Sequence, residues 1–321
     1  MKVLIISGFL GAGKTTFIKE LVNRTGRDIA IFENEYAAEG MDKTILENGI
    51  TNGEVDIFEL QQGCICCSTK GDFRESVLTI ANTVDPEILV VEPTGVGMLS
   101  NVAANIRDIE YERIRLLAPV TIVDGNSIDR YSKEYCDLFE DQVSGSHTVV
   151  VSKLEGADEE TRSDVKEKLQ AINPDAHILT EHYTGMDEEW FNSLFDEEHK
   201  GTVKERPESE APLPEEFSLE GIRANSHAYL ICFLEDLVRG EFGGIIRAKG
   251  HIKINDETLR FEVADRTYYI TGAGGEAADS AVFIGHGIKR QALRKKLFAS
   301  TGSASMLFIK KMSAGLFKTG R

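Results

Sequence analysis

The sequence predicts an α/β fold in which a mostly parallel sheet is flanked by helices, followed by a smaller α+β domain at the C-terminal end. Continuous apolar runs, such as residues 88–91 and 149–151, are typical of strands that are buried on both faces, as in a parallel sheet. Segments with helical spacing separate these runs. Beyond residue 216 the pattern changes to short alternating strands, which indicates a second kind of sheet.

The first domain is expected to span residues 1–197 and to contain seven strands. They are predicted at residues 2–7, 28–33, 56–60, 88–92, 120–124, 148–152 and 176–179. Helices are predicted after residue 14, ending at Gly26, and at residues 73–84, 99–109, 159–172 and 188–195. Acidic residues and three prolines then replace the periodic pattern, which predicts a linker over residues 198–216.

The second domain is expected to span residues 217–321 and to combine two helices with an alternating-strand sheet. The helices are predicted at residues 226–238 and 289–299. The strands are predicted at residues 245–249, 251–254, 259–263, 268–271 and 281–284. No Asp or Glu follows Asp279, so the chain ends in a basic stretch whose simplest interpretation is a solvated helix face and a loose tail.

The net charge and the distribution of apolar residues argue against two classes of protein, those that bind nucleic acids and those that span membranes. The chain has 321 residues and a formal net charge of −17, which disfavours binding to a nucleic-acid backbone. No segment approaches the roughly 20 apolar residues that cross a bilayer, and no secretory leader precedes the first strand. We therefore expect a cytoplasmic protein that binds neither nucleic acid nor membrane.

The first functional motif joins the first strand to the first helix. Residues 8–16 read Gly-Phe-Leu-Gly-Ala-Gly-Lys-Thr-Thr and match the phosphate-binding loop G-x-x-x-x-G-K-[ST], the P-loop. Its backbone N–H groups wrap phosphate oxygens, Lys14 reaches the terminal phosphates, and the Thr15 hydroxyl binds Mg²⁺. The nucleotide-binding residues predicted here are Gly8, Gly11, Ala12, Gly13, Lys14, Thr15 and Thr16.

A second motif, Glu92-Pro93-Thr94-Gly95, stands at the carboxyl end of a buried strand. A carboxylate there is placed to hold Mg²⁺ through a bound water, and the Gly95 N–H is placed to sense the γ-phosphate. We therefore expect Glu92 to act with Lys14 and Thr15 in catalysis, and to share the Mg²⁺ with Thr15.

The third motif, Ser152-Lys153-Leu154-Glu155, is expected to recognise the base. Guanine presents two neighbouring donors, N1–H and the 2-amino group, which one carboxylate accepts together, whereas adenine offers an acceptor at N1. Ser152 and Glu155 stand where the usual Asn-Lys-x-Asp motif has Asn and Asp, and the Lys153 stem packs along the base. The sequence therefore favours GTP over ATP.

Three of the five cysteines, Cys64, Cys66 and Cys67, lie within four positions. Thiolates bind Zn²⁺ and similar transition metals, and three sulfurs leave an open fourth position that suits transfer or catalysis. Glu33, which ends the neighbouring strand, is the best candidate for the fourth ligand. Redox chemistry and buried packing are the alternatives for the cluster. Cys136 and Cys232 stand alone and are expected to be small buried hydrophobic residues.

Taken together, residues 8–16, Glu33-Asn34-Glu35, residues 63–68 and residues 92–95 resemble the CobW-type family of P-loop GTPases, kin of the nickel-delivery GTPases. The resemblance implies a GTPase with a Zn²⁺-binding Cys-x-Cys-Cys site that acts as a metallochaperone or as a cofactor-insertion factor. The chain departs from the family at Ala38, where relatives commonly carry an acidic residue, and at Ser152 and Glu155.

These observations lead to one functional hypothesis and two alternatives. The hypothesis is a slow GTPase whose hydrolysis gates delivery of a transition metal to a client metalloprotein. In the first alternative, the protein is a GTP-dependent chaperone for a cobalamin-type or other metalloenzyme, and the cysteines act as a sensor. The more distant alternative is an ATP-using P-loop kinase or ligase. The metal, the client and the oligomeric state, a homodimer included, stay open.

Overall fold

The computed structural model describes residues 1–33, 50, 55–59, 70–200, 214–264, 266–273 and 279–298. Its chain divides into two compact units, Met1–Pro212 and Leu213–Arg321. Each unit has its own sheet, and hydrophobic residues of the same unit pack against that sheet.

The first unit is built on a parallel sheet. Its strands are β1 Lys2–Ser7, β2 Ile29–Glu33, β3 Asp56–Glu59, β4 Ile88–Glu92, β5 Arg115–Leu116, β6 Val120–Asp124, β7 Thr148–Ser152 and β8 His177–Leu179. Seven of them run in the order β3-β2-β4-β1-β6-β7-β8, and the two-residue β5 pairs separately with β1. Every pairing is parallel, so the predicted mostly parallel sheet is confirmed.

Helices flank this sheet on both faces. They are α1 Lys14–Thr25, α2 Lys70–Thr83, α3 Leu99–Arg107, α4 Ile128–Glu134, α5 Cys136–Ser144, α6 Glu159–Ile172 and α7 Glu188–Ser193, with a 3-10 turn at Tyr183–Gly185. Of these helices, α4 and α5 were not predicted. Tyr135 separates them after only seven residues of α4, so neither one gives a long periodic run.

The continuous apolar strands are explained by the two cores that cover them. On one face, Leu4 and Ile31 pack with Phe17 of α1. On the other face, Ile5 and Phe32 pack with α2, where the rings of Phe32 and Phe73 stack at 5.6 Å. Since alternate residues of a strand point to opposite faces, both sets of positions must be apolar.

In its described residues, the second unit is an antiparallel sheet with two helices. Its strands are β9 Glu215–Glu220, β10 Gly244–Ile254, β11 Glu257–Ala264, β12 Thr267–Gly272 and β13 Ser280–His286, in the order β12-β11-β10-β13-β9. The helices are α8 His227–Val238 and α9 Arg290–Phe298. Phe233 of α8 packs against Phe261 and Phe283 of the sheet. This arrangement confirms the predicted α+β domain.

The two strands predicted at 245–249 and 251–254 are one strand, β10, that continues through Gly250. Gly250 does not interrupt the strand; a glycine is required there because neighbouring atoms leave no room for a side chain. A Cβ on Gly250 would lie 2.7 Å from two ring atoms of Phe261 and 2.7 Å from the Ser280 carbonyl oxygen. The close approach of Phe261 therefore selects glycine inside a regular strand.

The segment predicted as a linker, residues 198–216, includes ordered pairings at both ends. Glu198 forms an isolated antiparallel bridge with Leu117, and the His199 N–H donates to the Leu116 carbonyl at 3.0 Å. At the other end, β9 already begins at Glu215. The linker was predicted from amino-acid composition, and composition does not show which backbone groups pair with each other.

The prediction that Cys136 and Cys232 are buried is wrong, because both are exposed. The buried residues of α8 recur at helical spacing, and position 232 falls outside that stripe. The Cys136 thiol lies on the surface of α5 and donates to Glu140 at 3.3 Å. This hydrogen bond to the carboxylate, with a smaller contribution from burial, raises the pKa of the Cys136 thiol.

Part of the basic C-terminal stretch belongs to the second unit. In α9, Arg290 contacts Glu215 at 3.1 Å and Lys296 contacts Asp236 at 3.0 Å. The basic helix therefore neutralises acidic residues of its own unit. Within the described part of the chain, no helix has the length and apolar character that crossing a membrane requires.

Candidate nucleotide and metal site

The loop between β1 and α1 has the backbone of an anion site. Gly8 has a φ of 139°, and a Cβ on it would lie 2.2 Å from the Ile122 carbonyl oxygen. Gly13 caps the start of α1 with a φ of 98°. Both positions require glycine, since L-residues rarely adopt these angles. The N-terminus of α1 opens onto this loop, and helix N-termini bind anions through their first N–H groups.

Lys14 crosses this loop from the first turn of α1. Its side chain is buried, and its Nζ donates to the carbonyl oxygens of Gly8 at 3.0 Å and Phe9 at 3.4 Å. Gly11 takes a positive φ of 74°, Ala12 is buried, and Thr16 is exposed at the rim. The two hydrogen bonds to Gly8 and Phe9 hold the Lys14 ammonium over the loop, the position from which a lysine reaches terminal phosphates.

Thr15 and Glu92 meet although they are far apart in the sequence. The Thr15 hydroxyl donates to the two carboxylate oxygens of Glu92, at 3.2 and 3.3 Å. Glu92 ends β4, which lies next to β1, and only 5% of it is exposed. A hydroxyl and a carboxylate are the oxygen ligands that Mg²⁺ prefers, so the pair fits the predicted magnesium site.

Gly95 lies directly against the phosphate-binding loop. A Cβ on Gly95 would come within 2.5 Å of the Leu10 backbone nitrogen and within 2.8 Å of its Cα. The loop that follows β4 therefore touches the loop that follows β1. The predicted role of Gly95 as a γ-phosphate sensor requires such a contact between the two loops.

Replacing Gly95 with alanine should weaken nucleotide binding, because the methyl group would push the backbone of the phosphate loop away. We expect roughly a tenfold or larger loss of affinity, the size of a 1–3 kcal/mol overpacking penalty. Calorimetric titration with GDP measures it. Gly71→Ala in α2 is the matched control, since a Cβ there meets no atom within 4 Å. Equal affinities in both variants would contradict the assigned contact.

The residues predicted to recognise the base lie at and after the end of β7, next to the end of β6. The Ser152 hydroxyl donates to the Ala12 carbonyl at 2.7 Å, so it fastens this edge to the phosphate loop. Lys153 adopts a left-handed φ of 64°, and its Nζ lies 2.7 Å from Oδ2 of Asp124, a buried carboxylate. Asp124 was not predicted as a site residue, although its place at the end of an apolar strand is the same signal that identified Glu92.

Glu155 extends from the same loop toward solvent. Its side chain is 58% exposed, and its Oε1 lies 3.1 Å from Nε2 of His182. Glu155 therefore lies just beyond the carboxyl end of β7, and its role in base recognition stays a prediction. His182 is a neighbour that no motif in the sequence indicates.

An aromatic contact supports the phosphate loop from the side. Phe9 occupies a variable position of the motif, and its ring lies 4.2 Å from Tyr131 and 4.8 Å from Tyr135, measured between centroids. Burial is the main cause that raises the pKa of Tyr135 to about 12. Both tyrosines belong to the region of α4 and α5, whose helices were not predicted, so sequence reasoning missed this support.

The carboxylate predicted as a metal ligand, Glu33, lies beside Glu92. Glu33 is the cross-strand neighbour of Glu92 on one side and of Glu59 on the other, and only 5% of Glu33 is exposed. The three predicted thiolate ligands, Cys64, Cys66 and Cys67, lie outside the described residues. Among the residues that are described, no group of three His, Cys, Asp or Glu side chains is placed to hold a metal ion.

Comparison with known proteins identifies relatives of this chain. Zinc-regulated GTPase metalloprotein activator 1 of Dictyostelium discoideum is 27% identical over 295 residues, which cover 78% of this chain and 62% of the relative. Zinc chaperone YjiA of Escherichia coli is 27% identical over 186 residues, which cover 56% of each protein. The crystal structure of Zn(II)-bound YjiA GTPase aligns over 94% of this chain and 99% of that chain, with 22% identity and a TM-score of 0.46.

The chain spans between about half and three fifths of the length of the curated relatives it matches. Family models cover both of its units. Residues 216–301 match the cobalamin synthesis protein cobW C-terminal domain. Residues 2–180, more than half of the chain, match the CobW/HypB/UreG nucleotide-binding domain. The chain therefore belongs to the CobW/HypB/UreG family, and it carries the CobW C-terminal domain after the nucleotide-binding domain.

Proposed function

We propose that the protein is a GTPase metallochaperone. It hydrolyses the β–γ phosphoanhydride of GTP and binds Zn²⁺ or a similar transition metal at Cys64, Cys66 and Cys67. Hydrolysis gates delivery of the metal to a client metalloprotein. The observation that carries the proposal is the adjacency of Glu33 to Glu92, which brings a candidate ligand of the metal beside a residue of the nucleotide site.

Hydrolysis by this site rests on positioning and on charge stabilisation, as is general for phosphoryl transfer. The α1 N-terminus and Lys14 hold the phosphates, while Thr15 and Glu92 are the residues that would hold Mg²⁺. When bound, Mg²⁺ neutralises the charge that develops on the phosphate oxygens. Gly95, in contact with Leu10, reports the presence of the γ-phosphate. We expect slow intrinsic turnover.

Guanine is the base that this edge accepts. Glu155 has two carboxylate oxygens for the N1–H and the 2-amino group, whereas adenine would present an acceptor to the same carboxylate. The Lys153 ammonium pairs with Asp124, and this ion pair restrains the side chain whose stem is proposed to pack along the base. An ATP-using kinase or ligase is therefore the weaker proposal. ATP outcompeting GTP in a hydrolysis assay would reverse this order.

Zinc is the metal that the chemistry and the relatives favour. Three thiolates suit Zn²⁺ with one open position, and relatives of this chain are named zinc chaperones. Strand β3 ends at Glu59, the cross-strand neighbour of Glu33, and Cys64 follows five positions later in the sequence. Glu33 is proposed as the fourth ligand, since a carboxylate oxygen completes a thiolate site that must also release its metal.

Titration of Zn²⁺ in the presence and absence of a non-hydrolysable GTP analogue tests the gating. A coupling between the two sites is reciprocal, so the factor by which GTP changes zinc affinity must equal the factor by which zinc changes GTP affinity. We expect a factor of about 5–150, the usual range of such couplings. Chelator competition measures the zinc affinity. Identical zinc affinities with and without nucleotide would contradict gating.

The fate of the metal during turnover separates delivery from sensing. Transfer of zinc to an acceptor protein upon hydrolysis supports the metallochaperone. Zinc that stays bound through many turnovers would instead identify the cysteines as the sensor of a cofactor-insertion chaperone.

A further inference from the structure

A histidine with no assigned role lies next to the base-recognising carboxylate. His182 follows β8, and its Nε2 is 3.1 Å from Oε1 of Glu155, which follows β7. The two strands are parallel neighbours in the sheet. Their carboxyl ends therefore deliver both side chains to the edge where the base is proposed to bind.

His182 is itself held from two sides. Its Nδ1 lies 2.6 Å from the Thr184 hydroxyl, and its ring stacks on Tyr183 with centroids 4.6 Å apart. Tyr183 is buried and packs edge-on against Phe17 of α1. The imidazole is thus fixed relative to the helix that carries the phosphate loop.

A second link ties the same turn to α1. The Arg24 guanidinium, in the last turn of α1, donates to the Thr184 carbonyl at 3.0 Å. The contacts therefore run from α1 through Arg24 and Thr184 to His182, and from His182 to Glu155. This chain of contacts joins the phosphate-binding helix to the carboxylate that reads the base.

We propose that His182 is a positioning residue for guanine recognition, an inference that rests on the proposed GTP-dependent function. The proposal assigns the neutral tautomer in which Nδ1 accepts from the Thr184 hydroxyl and Nε2 donates its proton to Oε1 of Glu155, as the two distances allow. An ionised carboxylate offers about four acceptor positions. One is occupied by His182, and the others receive the N1–H and the 2-amino group of guanine.

The chemistry of glutamate explains why such a partner is required. Glu155 has one more rotatable bond than an aspartate, and more than half of its side chain is exposed, so the free carboxylate would sample several rotamers. A hydrogen bond from a fixed imidazole restricts that sampling before the base arrives. The base then encounters a preorganised acceptor, which lowers the entropy lost on binding.

The test compares GDP with IDP, which lacks the 2-amino group but carries the same phosphates. In His182→Ala, we expect the ratio of GDP affinity to IDP affinity to fall roughly three- to tenfold, the effect of one lost hydrogen bond. The IDP affinity itself should change less. In His182→Gln, whose amide nitrogen replaces Nε2 as the donor, we expect the ratio to recover. Competition against a fluorescent nucleotide measures both affinities.

His227→Ala is the matched control. His227 contacts Glu257 at 3.0 Å in the second unit, so these two residues form a histidine–glutamate pair like that of His182 and Glu155. We expect it to leave the ratio unchanged. An unchanged ratio in His182→Ala, or an equal loss of GDP and IDP affinity, would overturn the positioning role. A wild-type protein that prefers ADP to GDP would instead overturn the proposed guanine specificity itself.

Discussion

Replacing Lys14 with alanine is expected to reduce GTP hydrolysis by about 100-fold or more, comparable to removing one preorganised donor from a transition state. The Nζ of Lys14 is held over the phosphate loop by the carbonyls of Gly8 and Phe9, so its charge is aimed where the terminal phosphates bind. No other described lysine occupies that loop. Release of inorganic phosphate under saturating GTP measures the change.

The control for this prediction is a lysine that forms ion pairs outside the phosphate loop. Lys168 contacts Asp129 at 2.7 Å and Asp164 at 2.8 Å, away from the phosphate loop. Lys168→Ala should hydrolyse GTP like the wild type. The nucleotide-free thermal unfolding of Lys14→Ala shows whether the loop still folds. A folded Lys14→Ala protein with normal turnover would contradict the assignment of the loop.

Replacing Cys66 with alanine is expected to weaken zinc binding by more than about 100-fold, because losing a residue that only hydrogen-bonds to a metal ligand already costs about 10–100-fold. One of three thiolates is then lost from the proposed site. The GDP affinity measured without zinc should stay at the wild-type value, since the phosphate loop and Glu92 are unaltered. Chelator competition for zinc, together with calorimetric titration of GDP, gives both quantities.

Cys136→Ala is the matched control, since Cys136 is an exposed cysteine on α5. We expect it to bind zinc with the wild-type affinity. Loss of zinc from Cys136→Ala, or full retention in Cys66→Ala, would move the metal away from the Cys-x-Cys-Cys segment. Loss of the GTP–zinc coupling in Cys66→Ala would further connect this segment to the nucleotide.

Sequence reasoning was accurate where the pattern is local. The strands at residues 2–7, 88–92, 120–124 and 148–152 were predicted with the bounds that the structure has, because buried parallel strands have unbroken apolar runs. It was wrong at Gly250, where glycine is required by the ring of Phe261 from another strand, and at Cys136 and Cys232, whose exposure depends on helix orientation.

The site divides in the same way. The glycines of the phosphate loop and the position of Lys14 could be predicted from the sequence, because the strand, the glycine turn and the helix N-terminus follow one another directly in the chain. Asp124 and the aromatic support of Phe9 were not predicted. Each of them contacts the site from a different strand or helix, and the sequence contains no local signal for such contacts.

By itself the sequence determined the phosphate loop, the buried strands, the cysteine segment and the family they resemble. Only the tertiary structure decided which side chains meet. Thr15 contacts Glu92 across 77 positions of sequence, Lys153 contacts Asp124 across 29, and Glu33 lies beside Glu92. The physical reason is that backbone geometry and apolar periodicity act over a few residues, whereas these contacts depend on the order in which parallel strands assemble.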